Sequence, residues 1–296
     1  YKWLFGDNTP ETAYSTSPNA SHAFAQPGLY IIKLTVIDGS GAETSLNFSQ
    51  AIHLPLTANR PEVSRNVVYE VRSAGNRVWA VNADNDSVSV FETAGNTKVV
   101  EITVGKAPRS VAVAPNGRIW VSNKGSATLS IIDPTSLTVV QTVQLPYGSQ
   151  PYAIAFAPSG NAGYVTLEAT GKLLRFDPTT AAQTGSVDVG INVRHLSNSG
   201  DSSKIYVSRF ITPRLAGEET ATPQVASGGG EVVVVNLATL TINKTIQLRS
   251  SDKPDTEAAG RGIPNYLGPL VLSPDGVNGW VPSKQDNIVR GTLRDG

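Results

Sequence analysis

Pro115-Asn116-Gly117-Arg118-Ile119-Trp120-Val121-Ser122-Asn123, then a polar break and Leu129-Ser130-Ile131-Ile132-Asp133, is the stretch on which the fold turns. A Pro-x-Gly turn opens it, an aromatic residue heads a short apolar run, and a second alternating run follows. Period-two alternation of β-branched and aromatic residues between turn residues is strand chemistry. The same sentence recurs. Its heads are Trp79-Ala80-Val81-Asn82, Trp120-Val121-Ser122-Asn123, Tyr164-Val165-Thr166-Leu167, Tyr206-Val207-Ser208-Arg209 and Trp280-Val281-Pro282-Ser283. The first four heads stand 41, 44 and 42 residues apart, and the fifth 74 residues further on. A fixed period of this length means an array of one supersecondary unit, with the long last gap holding insertions.

Each unit carries four short runs. The aromatic-headed run is followed by Ser87 to Phe91, Leu129 to Asp133, Leu173 to Asp177 or Val232 to Asn236. A third run closes the unit, as at Thr97 to Val104 and Thr138 to Leu145, and a fourth, such as Ser110 to Val113 or Tyr152 to Phe156, opens the next. Four antiparallel strands per period of this length predict an all-β propeller of four-stranded blades, five of them visible.

The Tyr164-Val165-Thr166 and Trp120-Val121-Ser122-Asn123 heads resemble the YVTN-type β-propeller repeat of exported bacterial and archaeal proteins. The resemblance spans roughly residues 63 to 296. It implies seven blades in the intact protein, and so further blades beyond Gly296. Residues 1–58 lack the repeat. Phe5-Gly6-Asp7, His22-Ala23-Phe24 and Pro27-Gly28-Leu29-Tyr30 through Asp38 resemble instead the C-terminal part of a PKD domain, an immunoglobulin-like β-sandwich. The expected domains are therefore 1–58, the sandwich portion, and 59–296, the propeller, joined near Ala58-Asn59-Arg60-Pro61. Absence of any methionine and the strand-like opening at Tyr1 lead us to expect an internal portion of a longer polypeptide.

With 24 basic and 24 acidic residues the chain is formally neutral, so nothing in its global charge calls for nucleic acid. It has no cysteine, which removes a thiol nucleophile, a thiolate metal site and c-type haem attachment within this chain and suits an exported β protein. No apolar run reaches the length of a membrane span. No G-x-S-x-G or H-E-x-x-H is present.

In a four-stranded blade the loop entering the first strand and the loop joining the second and third lie on one face, around the channel. Residues placed there supply the candidate ligand-binding set: Arg109, Lys124, Tyr152, Arg194, His195, Arg209, Arg261 and Lys284. Seven of the fourteen polar residues in these loops are Lys or Arg against four acids, so a neutral chain is expected to present a mildly positive mouth. Asp84-Asn85-Asp86 lacks the ligand spacing of a known calcium loop, and no metal or cofactor is expected. The reading that follows is an extracytoplasmic binding or scaffold module for a protein or carbohydrate partner. The stretches around Arg209-Phe210-Ile211-Thr212-Pro213 and Arg290-Gly291-Thr292-Leu293 look like propellers fused to a di-haem cytochrome c peroxidase-like domain, which implies a second reading as a redox accessory with a haem domain downstream. A third, lactonase-like reading rests on fold analogy.

Overall fold

A computed structural model describes residues 1–52, 62–217, 228–250 and 262–286. Every regular element among them is a β-strand. The chain divides into two compact units, Tyr1–Thr57 and Ala58–Gly296.

In the first unit β1 (Lys2–Leu4), β2 (Gly28–Ile37) and β3 (Glu43–Ile52) form one antiparallel sheet in that order. The predicted Tyr30-to-Ile37 alternation is the centre of β2, paired along its whole length with β3 from Gly28↔Ile52 to Ile37↔Glu43. Phe5 is buried, with the His22 ring stacked on it at 4.1 Å between centroids and Phe24 set edge-on. The His22 Nε2 meets Asp7 at 2.7 Å. A Thr9 hydroxyl and this imidazole hold the Asp7 carboxyl down to about 2. The Phe-Gly-Asp triplet and the distant histidine are thus one structural cluster.

The second unit begins with β4 (Glu62–Val63) and continues as three four-stranded meanders: β5 (Val67–Glu70), β6 (Arg77–Asn82), β7 (Ser87–Glu92) and β8 (Thr97–Thr103); β9 (Pro108–Val113), β10 (Ile119–Asn123), β11 (Thr128–Asp133) and β12 (Thr138–Gln144); β13 (Pro151–Phe156), β14 (Gly163–Leu167), β15 (Lys172–Phe176) and β16 (Gln183–Asp188). A fourth, β17 (Val193–Asn198), β18 (Lys204–Arg209), β19 (Gly230–Asn236) and β20 (Thr241–Leu248), gains β4 beside β17 as a fifth strand. The quoted heads are the second strands β6, β10, β14 and β18. Gly117 and Gly160 close their Pro-x-Gly turns at φ 81° and 76°, each donating its amide three residues back, a conformation that favours glycine.

The fifth head departs from the other four. Among the described residues it carries β21 (Ile263–Asn265), β22 (Val271–Leu272), β23 (Gly279–Trp280) and β24 (Lys284–Asp286), which pair as two separate ladders, β21 with β24 and β22 with β23. Trp79 and Trp120 are wholly buried, whereas Trp280 is 60% exposed. Each of the first four head aromatics packs against the following blade. Trp79 lies in the cluster shared with Val111, Ile119 and Val121; Trp120 in that with Ile154, Phe156 and Phe176; Tyr164 in that with Val193, Leu196 and Val207. Tyr206 packs on Leu267, Leu270 and Leu272. Because alternate residues of a blade strand face the preceding and the following blade, β10 and β14 are buried at every position. First strands lie against one another, β9 on β13 and β13 on β17, which makes them the walls of the central channel.

Candidate functional site

The chain that enters the propeller bonds to the first strands of its blades. The β4 pairing places Val63 opposite Ser197, the Ser64 amide donates to Leu196 O, and the Arg65 carbonyl accepts from the Val111 amide and the Ser110 hydroxyl. The Asn66 carbonyl accepts from Val81 N. Residues 62–66 thus bond to three blades and floor the cavity at one mouth.

Arg109, Tyr152, Arg194 and His195 were expected in the loops entering the blades. They stand instead inside the first strands, and the correction has a geometric cause. The β9–β10 register steps from Pro108↔Asn123 to Ser110↔Ser122, leaving Arg109 without an opposite residue. The β17–β18 register steps from Val193↔Arg209 to His195↔Ser208, leaving Arg194 out, and in β13 the shift between Pro151 and Ile154 leaves Tyr152 and Ala153 against the single Thr166. An unmatched residue bends its strand and re-aims its side chain. Three successive blades use this device at the second residue of the first strand, and all three side chains meet at one mouth.

Their charges are organised around one acid. The Glu168 carboxylate, in the loop after β14, lies 2.8 Å from Arg194 Nε and 2.6 Å from Lys124 Nζ, its side chain only 9% exposed. The Arg194 guanidinium carbon lies over the Phe210 ring, 3.4 Å from its centroid, and 5.2 Å from that of Tyr152; Lys124 Nζ is 5.6 Å from the same Tyr152 ring. Phe210 meets Tyr266 edge-on at 5.0 Å, and Lys284 Nζ sits 5.2 Å from the Tyr266 ring. The result is a ladder of alternating cations and rings, Lys124, Tyr152, Arg194, Phe210, Tyr266, Lys284. His195 stands edge-on to Tyr152 at 5.4 Å, and burial, with the Arg194 charge, pushes its imidazole down to about 4, so it is neutral at pH 7.

Of the eight expected residues the structure therefore joins Lys124, Tyr152, Arg194, His195 and Lys284, and places Arg109 in the adjoining cavity. Arg209 lies apart, tied to Glu231 at 2.6 Å and to Ile191 O at 3.0 Å. Arg261 lies outside the described residues. The mouth is less positive than the composition of its loops suggests, since Asp86 holds Lys106 at 2.7 Å and Glu168 neutralises one of its two cations. Phe210 and residues 64–66 were missed. Phe210 directly follows a head and was readable as a ring beside the mouth, whereas nothing in Ser64-Arg65-Asn66 marks a plug. Among the described residues no group of three His, Asp or Glu could hold a metal ion, and no helix is long and apolar enough to cross a membrane.

A family model described as YNCE-like beta-propeller matches residues 54–222, and one described as PKD domain matches residues 1–52. Among curated proteins, the seven-bladed beta-propeller protein Rv1057 of Mycobacterium tuberculosis is 30% identical over 136 residues, covering 44% of this chain and 34% of that protein. The PE-PGRS family protein PE_PGRS18 of the same organism is 45% identical over 51 residues, 17% of this chain and 11% of that protein. The chain thus matches about a third or less of the length of these relatives. Among solved structures, hydrazine synthase of Kuenenia stuttgartiensis superposes with a TM-score of 0.55 at 17% identity, over 70% of this chain and 52% of that one. That likeness concerns the fold.

Proposed function

The chain belongs to the YNCE-like beta-propeller family, with a PKD domain ahead of the propeller, and from that premise we propose that it is an extracytoplasmic binding module whose channel-mouth face recognises a protein or carbohydrate partner. One observation carries this reading: the cation and ring ladder from Lys124 to Lys284, assembled from successive blades and held by a nearly buried Glu168. Aromatic rings with arginine are the composition of recognition surfaces, and rigid side chains lose little entropy on binding. Here they are half-buried, held from below and reachable from solvent. A scaffold that spends three strand irregularities on aiming side chains at one place is built for contact there. The PKD match supports a location outside the cytoplasm.

The test is binding by biolayer interferometry to a panel of defined oligosaccharides and extracellular proteins, repeated with Tyr152→Ala and Arg194→Ala. Loss of a partner in both variants, with unchanged circular dichroism, is the expected result. A partner that binds both variants as well as the parent overturns the reading. So does turnover of a substrate that disappears when Arg109, Arg194 and His195 are replaced by Ala, since that makes the mouth an active site.

A further inference from the structure

Beside the ladder lies a cavity of about 460 Å³, within the usual range for small-molecule clefts. Its floor is Ser64 to Asn66, and Val81, Arg109, Tyr152 and His195 stand in its walls. Among the described residues no Asp or Glu lines it. Arg109 is the unmatched residue of β9, its Nε is buried, and that nitrogen has no hydrogen-bond acceptor. Two acids of the neighbouring loops are committed elsewhere, and Asp84, exposed in the loop after β6, does not line the cavity. Asp86 takes Lys106 Nζ and the Ala107 amide, Glu168 takes Lys124 and Arg194, and the other arginine of the cavity, Arg65, is paired with Glu62. One guanidinium therefore stands uncompensated in a concave site.

We propose that this cavity binds a small sugar acid, its carboxylate held by the Arg109 guanidinium and its hydroxylated ring filling the space between Asn66, Val81, Tyr152 and His195. The proposal rests on the mouth being a recognition face and names the chemistry recognised there. A single unpaired cation matches a monoanion, and the planar guanidinium fork matches a carboxylate; a phosphate dianion would leave negative charge uncompensated. A neutral imidazole, with one ring N–H and one acceptor nitrogen, suits sugar hydroxyls, as do the Asn66 amide and the Tyr152 hydroxyl. Val81, Ala83 and Ala153 offer apolar contact to the C–H faces of a ring.

Isothermal titration of the chain with D-glucuronate, its methyl ester, D-glucose and inorganic phosphate tests this. Glucuronate is expected to bind at least about tenfold more tightly than glucose, the ester or phosphate, in line with the loss of a charge-assisted hydrogen bond. Arg109→Gln is expected to remove that preference and Arg109→Lys to keep part of it. Equal affinity for glucuronate and its ester, tighter binding of phosphate, or no effect of Arg109→Gln in a folded variant overturns the proposal. If a partner docks in a manner sensitive to Tyr152→Ala and Arg194→Ala while glucuronate neither binds nor competes, this inference fails and the binding-module reading stands. If glucuronate binds through Arg109 and no partner depends on Tyr152 and Arg194, the reading fails and the cavity assignment stands.

Discussion

The Ser122 hydroxyl donates to the Tyr152 carbonyl at 2.6 Å and accepts the Ser110 amide at 3.1 Å, joining the second strand of one blade to the innermost strand of the next. Thr166 repeats the arrangement one blade on, accepting from Ala153 N at 2.9 Å and donating to Arg194 O at 3.2 Å. The third residue of these two heads is thus a staple, whereas Val81 has no hydroxyl and the buried Ser208 hydroxyl has no hydrogen-bond partner among the described residues. It also fixes the carbonyls of the two residues whose side chains build the ladder.

Ser122→Ala leaves the Ser110 amide and the Tyr152 carbonyl without this partner, and loss of a buried hydrogen-bond partner costs about 1–3 kcal/mol. Thr166→Val should cost a similar amount. Urea denaturation followed by tryptophan fluorescence measures both, and a change below about 0.5 kcal/mol, the size of an ordinary surface substitution, would show that the staples are incidental.

Glu168 holds two cations, so its removal should exceed the removal of either. We expect Glu168→Ala to cost about 3 kcal/mol, the lower end for breaking a buried ion pair because Arg194 and Lys124 both reach solvent. Lys124→Met leaves the Arg194 contact in place and should cost less than half as much. Denaturant midpoints of the two variants, compared in one buffer, check the ranking.

The repeat made the blades legible because strand pattern and turn chemistry are local: the Pro-x-Gly turns, the aromatic head and the paired hydroxyl run each read within a few residues. Asn82 and Asn123, the last residues of two heads, use their side-chain amides to bridge pairs of hydroxyls in the facing strand, Ser87 with Ser89 and Thr128 with Ser130. That is why Asn recurs there. The site was legible only as a set of positions. Whether Arg109, Tyr152 and Arg194 project into the channel depends on register shifts between strands, and a shift of one residue leaves no mark in the composition of either strand. Which acid pairs with which cation depends on contacts between blades, as with Lys124 of one blade and Glu168 of the next. The plug at 62–66 depends on strand pairing across more than a hundred residues.

Trp120 and Trp280 occupy the same place in the repeat and should respond unequally to truncation. Trp120 is buried against Phe156 and Phe176, at 5.3 and 6.0 Å between centroids. Trp120→Ala should cost about 3–5 kcal/mol. Trp280, 60% exposed, should lose about 0.5 kcal/mol or less. Thermal unfolding of the two variants separates them, and similar losses would mean that the fifth head packs like the others.

His195 should make stability depend on pH in mildly acidic solution. Its imidazole titrates near 6.5 when unfolded and is held down to about 4 in the fold by burial, with Arg194 adding to the shift and Glu168 opposing it. Between these values the unfolded chain binds more protons than the folded one, so this histidine makes stability fall as pH is lowered from 6.5 to 4 and adds no further slope below. His195→Asn retains a polar side chain and removes the titration. Denaturant midpoints measured in half-unit steps from pH 7 to pH 4 should therefore fall more steeply for the parent than for the variant, and parallel curves would show that the imidazole is charged, or free to become so, within the folded mouth.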